Sequence, residues 1–152
     1  MAPSDPPKAK NKSLLIGVSV LFVAVAAGGG VAIYSLRDWS APAKARKLQN
    51  PVPATDESIA AGKMVYTHRC ASCHGEKGDG KGEKAGELSV DPTNFTDAHE
   101  MSLSTDGELF WKISEGHRPM PRFKDKLSEN ERWDLVNYIR TFSASPATRG
   151  NP

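Results

Sequence analysis

The stretch HRCASCHGEKGDG, residues 68–80, places Cys70 and Cys73 three positions apart, with His74 directly after them. These are the only two cysteines in the 152-residue chain. A C-x-x-C pair serves as a redox disulfide, as half of a zinc site, or as a haem attachment site. The redox reading expects a thioredoxin-like βαβ setting, and no strand-rich sequence surrounds this pair. A structural zinc site takes four ligands, usually from two such clusters. No second cysteine pair exists, and His68, His99 and His117 do not form an H-x-x-x-H partner. The C-x-x-C-H reading uses every residue. Two thiols add to the two vinyl groups on one edge of haem, and the adjacent imidazole reaches the iron. One helical turn brings both thiols to that edge and swings the next residue under the metal.

Three helices are expected around this motif. Thr55 caps a helix through DESIAAGKMVYTHR, with Asp56 and Glu57 in its first turn. Ile59, Gly62, Val65 or Tyr66, and Arg69 share one of its faces. Thr105 and Glu108 form a capping box for DGELFWKISE, which Gly116 stops. Ser128 and Glu131 form another for ENERWDLVNYIRTF, with Leu135, Tyr138, Ile139 and Phe142 apolar. Between the first two helices runs a polar, Gly-rich stretch, 75–103, too long for structureless loop in an ordinary compact domain. It makes sense if it wraps a large apolar cofactor that supplies the missing core. The fold class expected is all-α around one covalent haem. No internal repeat is present.

The rest of the chain divides by charge and hydropathy. Residues 13–36 read SLLIGVSVLFVAVAAGGGVAIYSL, without a charge. A helix needs about 20 apolar residues to cross hydrocarbon, so this stretch is expected to be a single transmembrane signal-anchor helix after a cytoplasmic N-terminus, 1–12. Ala24-Val25-Ala26 also fits a cleavage site, but the apolar run continues to Leu36. Gly28, Gly29 and Gly30 weaken a helix and permit close approach of a neighbour. Residues 37–54 are basic and then Pro-rich, and read as a linker spanning up to roughly 60 Å when extended. The haem domain is expected over 55–143, with a flexible tail at 144–152. Residues 1–54 carry seven Lys/Arg against two Asp/Glu, and residues 55–145 twelve against sixteen. The formal net charge is +2, so no nucleic-acid partner is suggested.

The domain resembles a class I cytochrome c of the short bacterial monohaem kind. GKMVYTHRCASCHGEKGDGKG is similar to that family's opening helix, attachment site and glycine loop. Gly62 and Tyr66 match its first-helix pair, and Leu135 and Tyr138 match their partners on the last helix. DPTNFTD and DGELFWKISEGHRPMPRF are also similar to family segments, the latter ending at the methionine ligand. The family often carries a proline soon after the glycine loop, where Glu83 and Lys84 stand here. The carbonyl that orients the proximal histidine therefore has no assigned residue, Pro92 being one candidate. The resemblance implies haem c on Cys70 and Cys73, with His74 on the iron. It also implies attachment outside the cytoplasmic membrane of a bacterium, hence a periplasmic domain; the lysine distribution alone does not orient the chain.

For the sixth ligand the candidates are Met64, Met101, Met120, His68, His99 and His117. Met64 and His68 lie on the attachment helix and cannot reach round the ring. Met120 stands between Pro119 and Pro121, which fix its backbone. It is the expected ligand, Met101 is second choice, and packing roles are expected for Met101, His99 and His117. Leu109, Phe110 and Ile113 are expected to wall the pocket, and Trp111 and Trp133 to pack. Arg118, Arg122, Lys124 and Lys126 are either a solvated loop or a rim that steers an acidic partner.

A haem with both axial positions filled has no room for a substrate. The expected function is therefore electron transfer rather than catalysis, between a quinol-oxidising complex and a terminal oxidase or photosynthetic reaction centre. The partner would be a membrane redox complex or another cytochrome, with the chain as shuttle or bound subunit. The alternative is a haem with a displaceable sixth ligand, acting as a gas sensor or a peroxidase-like enzyme.

Overall fold

Four helices of the domain begin where a side chain satisfies free N–H groups of the first turn. The computed structural model describes residues 23–26, 30–33 and 39–144. Helix α1 spans Ala43–Arg46, α2 Asp56–Arg69, α3 Ala71–His74, α4 Ala98–Leu103, α5 Asp106–Glu115 and α6 Glu129–Ser143. Thr55, Asp97, Thr105 and Ser128 accept from first-turn amides of α2, α4, α5 and α6. The box at Ser128 is reciprocal, with Glu131 accepting from the Ser128 amide at 2.7 Å. The expected box at Thr105 is only half made, because Glu108 turns to Lys112 at 3.1 Å. An intrahelical ion pair one turn away competes for the same carboxylate.

Helices α2 and α6 form the central pair. A Cβ on Gly62 would lie 2.1 Å from the Asp134 carbonyl oxygen, so only glycine permits this approach. Beside it Tyr66 meets Tyr138 edge-on, with ring centroids 5.3 Å apart. Tyr66, Leu135 and Val136 are the fully buried large side chains of the core. The stretch after the motif is more ordered than a single long loop. A 3-10 turn at Ala85–Glu87 and helix α4 break it up, and the Phe95 amide donates to the Gly78 carbonyl at 2.7 Å.

The linker expected at 37–54 is a correction. From Ala41 onward it packs as part of the domain. Ala41 and Ala45 are buried. The Thr105 hydroxyl donates to the Arg46 carbonyl at 2.9 Å, and Gly107 leaves room for the Ala45 carbonyl. Asn50 donates to Asn137 Oδ1 at 2.7 Å, and Asn137 in turn donates to the Val52 carbonyl at 3.1 Å. Composition misled here because backbone carbonyls of a Pro-rich stretch bind a polar helix face as well as a strand would.

In the N-terminal unit, Val23–Ala26 (β1) and Gly30–Ile33 (β2) pair antiparallel, with Val23 opposite Ile33. The single transmembrane helix expected over 13–36 is thus not shown among the described residues. β-branched residues and glycine disfavour helix there, each glycine by about 1 kcal/mol. The other residues of that stretch lie outside the described ones, as do residues 1–12 and most of the tail. Among the described residues no helix is long and apolar enough to cross a membrane.

Candidate functional site

The C-terminal end of α2 and the whole of α3 carry the motif. Cys70 is the C-cap of α2 and Cys73 and His74 close α3. Gly75 then leaves the helix at φ 81, a left-handed turn that costs glycine nothing. All three motif side chains line one cavity of about 320 Å³, together with Met120. Leu109 and Ile113 of α5 and Leu135 and Ile139 of α6 supply its apolar wall.

His74 is held from two sides. Its Nδ1 lies 3.2 Å from the Thr93 carbonyl oxygen. A carbonyl only accepts, so Nδ1 carries the proton and Nε2 keeps a lone pair. Phe95 stacks on the ring at 4.7 Å between centroids. Burial pushes the imidazole below the usual histidine range, and the bond to Thr93 partly offsets this. Thr93, one residue beyond the candidate Pro92, is the orienting carbonyl that the motif alone left open.

The Cys70 thiol sits in an apolar setting. Burial, with Cys73 beside it, pushes the Cys70 thiol up to about 12. A redox-active cysteine carries the opposite shift. Among the described residues no group of three His, Cys, Asp or Glu side chains could hold a bare metal ion. What the cavity offers is two thiols at one edge, an imidazole with a fixed tautomer, a thioether and an apolar wall. That donor set fits haem c.

Met120 sits in a tight loop. Its amide donates to the His117 carbonyl at 2.8 Å, and the His117 amide returns a bond to the Met120 carbonyl at 3.0 Å. Met101 is buried to 2% exposure and also lines the cavity, so the structure brings two methionines to the pocket. His117 lies at the mouth, while Met64 is solvent-exposed and His68 and His99 are exposed outside the lining. Phe110, expected in the wall, instead stacks on Trp133 at 3.9 Å outside the cavity. Trp39 lines the cavity and was missed, since it lay in what read as linker.

Of the four basic candidates for docking, only Arg118 lines the cavity. Arg122 pairs with Asp125 at 3.3 Å and Lys124 with Glu115 at 3.2 Å. Lys126 lies 6.0 Å over the Phe123 ring. Arg69, of α2, joins Arg118 at the lining, opposed by Asp91 and Glu100.

Helices α2 and α6 crossed at Gly62, the attachment motif at the end of α2 and a methionine loop after α5 together define a class I c-type cytochrome, whose haem c is covalently bound. Residues 57–139 match the model of the family described as cytochrome c oxidase, cbb3-type, subunit III, and the chain belongs to that family. It is 28% identical over 127 residues to the cytochrome bc1 complex cytochrome c subunit of Corynebacterium diphtheriae, covering 81% of this chain and 41% of that protein. It is 32% identical over 104 residues to quinohemoprotein alcohol dehydrogenase ADH IIB of Pseudomonas putida, covering 65% of this chain and 13% of that one. A chain of the reducing HAO-like protein complex of Kuenenia stuttgartiensis superposes with a TM-score of 0.55 at 27% identity, over 64% of this chain and 50% of that one. The chain thus spans less than half the length of these curated relatives.

Proposed function

We propose that this chain is a membrane-tethered, single-haem cytochrome c. It carries electrons one at a time between membrane redox complexes, from a quinol-oxidising complex to a terminal oxidase or photosynthetic reaction centre. The observation that carries the reading is that His74 and Met120 line the same apolar cavity as both thiols. Cys70 and Cys73 would hold the haem as thioethers, and as the only cysteines of the chain they would hold one. His74 Nε2 and the Met120 sulfur would hold its iron. Bound haem supplies a one-electron iron couple, whose potential a thioether ligand raises relative to bis-histidine. The apolar wall from Leu109, Ile113, Leu135 and Ile139 excludes water. With iron held by both side chains, no coordination site would be left for a substrate, and the protein would act as a carrier rather than an enzyme.

The tether is the uncharged stretch 13–36. A two-stranded sheet leaves unpaired edges that hydrocarbon does not tolerate, so in a bilayer this stretch takes helical form. The haem domain lies on the periplasmic side. Residues 39–54 are packed onto the domain, which leaves little free chain between tether and domain. That favours a bound subunit, as in the complex to which the corynebacterial relative belongs, over a far-reaching shuttle.

The full chain expressed in a bacterium tests this. It should stay with the membrane through a high-pH wash, carry one haem per chain, and bind carbon monoxide slowly when reduced. Deleting residues 13–36 should release it. Rapid carbon monoxide binding would overturn the carrier reading in favour of a sensor or peroxidase-like haem.

A further inference from the structure

The segment before α2 runs along α5 in the opposite direction. Ala45 sits where Gly107 leaves room for its carbonyl oxygen. Six residues earlier, Trp39 reaches the other end of α5. There its ring lies 5.4 Å beneath the Lys112 ammonium and stacks on His117 at 5.5 Å between centroids, with 21° between planes. His117 is one arm of the four-residue loop that holds Met120, joined to it by two backbone hydrogen bonds. Trp39 also lines the cavity itself.

We propose that residues 39–46 form a strap whose Trp39 holds the His117–Met120 loop closed over the haem pocket. This makes Trp39 a positioning residue for the sixth ligand. The inference rests on the reading of Met120 as that ligand. The physical argument concerns what else secures the loop. His117, Arg118 and Pro119 are exposed; beyond the paired bonds and the packing of Met120 against the core, the loop is tied down only past its end, by the Phe123 amide to Ile113 and the Lys124 amide to Ser114. An exposed loop of this kind opens locally at little cost unless a packed group covers it. Trp39 supplies that cover. The strap is anchored at its far end by the bond from Thr105 to the Arg46 carbonyl and by the buried Ala41 and Ala45. Loosening the strap would free the loop without disturbing α2, α6 or the attachment motif.

The test uses the full-length haem-loaded protein in detergent, as wild type, Trp39→Ala, Trp39→Phe and Met120→Ala. Three quantities are measured: amide exchange at Met120, the rate of carbon monoxide binding to the reduced protein, and the weak sulfur-to-iron absorption of the oxidised protein on heating. Trp39→Ala should accelerate Met120 exchange and carbon monoxide binding about tenfold, equivalent to about 1.4 kcal/mol of lost closure. Its sulfur-to-iron absorption should disappear at a lower temperature than helix unfolding, which should itself move little. Trp39→Phe keeps a ring to stack and should restore all three to within about twofold. Unchanged Met120 exchange in Trp39→Ala would overturn the strap. If Met120→Ala retains the absorption, the ligand assignment has failed, and Met120 exchange alone decides the strap.

Discussion

His74 shows how much a single residue depends on groups distant in sequence. The Thr93 carbonyl sets its tautomer and Phe95 its ring plane. Both come from the loop that wraps the pocket, about twenty residues on. Met120 and Met101 present a sharper case, since both line the cavity. Met101 is enclosed by packing, and Arg140 donates to its backbone carbonyl at 2.7 Å, which holds α4 in place. Met120 lies in a loop between prolines and is only part-buried, which leaves its sulfur available. Met120→Ala is therefore expected to abolish the sulfur-to-iron absorption of the oxidised protein. Met101→Ala should retain it and cost about 2–5 kcal/mol of stability as a cavity in the core. Visible spectroscopy of the two variants, with thermal unfolding beside it, separates ligand from packing.

Among the elements, the α2–α6 crossing bears most of the non-local packing. The close approach at Gly62 sets the crossing, and the rings of Tyr66, Tyr138 and Phe142 pack beside it. The Tyr66 hydroxyl donates to the Gly75 carbonyl at 2.7 Å, tying this crossing to the turn that follows the motif. Burial raises the Tyr66 hydroxyl above its ordinary 10.0, so it stays a donor at any physiological pH. Gly62→Ala would drive a methyl group into backbone rather than into a movable side chain. It should cost about 3 kcal/mol, at the upper end for overpacking. Chemical denaturation of the haem-loaded protein measures this. A loss below about 0.5 kcal/mol would mean that the two helices separate freely.

For the molecule as a whole, the charges that face a partner are fewer than a count of basic residues suggests. Lys124 and Arg122 are already balanced by Glu115 and Asp125, and exposed pairs of this kind screen one another. Arg118 lines the cavity mouth without such an ion pair among the described residues. Arg118→Ala is expected to slow electron transfer with an acidic redox partner about two- to threefold at low ionic strength, with the difference vanishing as salt screens it. Lys124→Ala should leave the rate within about 1.5-fold, since its field is cancelled locally. Stopped-flow rates across a salt series read both. Equal responses of the two variants would mean that the whole basic segment steers.

The attachment motif, the three long helices and the hydroxyls that cap them were legible in the residues alone, whereas the Gly62/Tyr66 pairing with α6 was legible only through the family resemblance. The former rest on local chemistry: a hydroxyl three residues before an amide, a 3.6-residue period, two thiols one helical turn apart. That Met120 stands in a constrained loop was legible for the same reason, since prolines constrain only their neighbours. The tertiary structure alone decided which carbonyl orients His74, that Phe110 turns away from the pocket, and that Met101 joins its wall. It also showed that a basic, Pro-rich segment is bound rather than free. Each of these outcomes is a contact between residues separated by at least nineteen positions, or a choice between two partners for one side chain. Spacing along a chain carries no record of such choices; they are settled only when the helices pack and leave one set of groups facing the cavity.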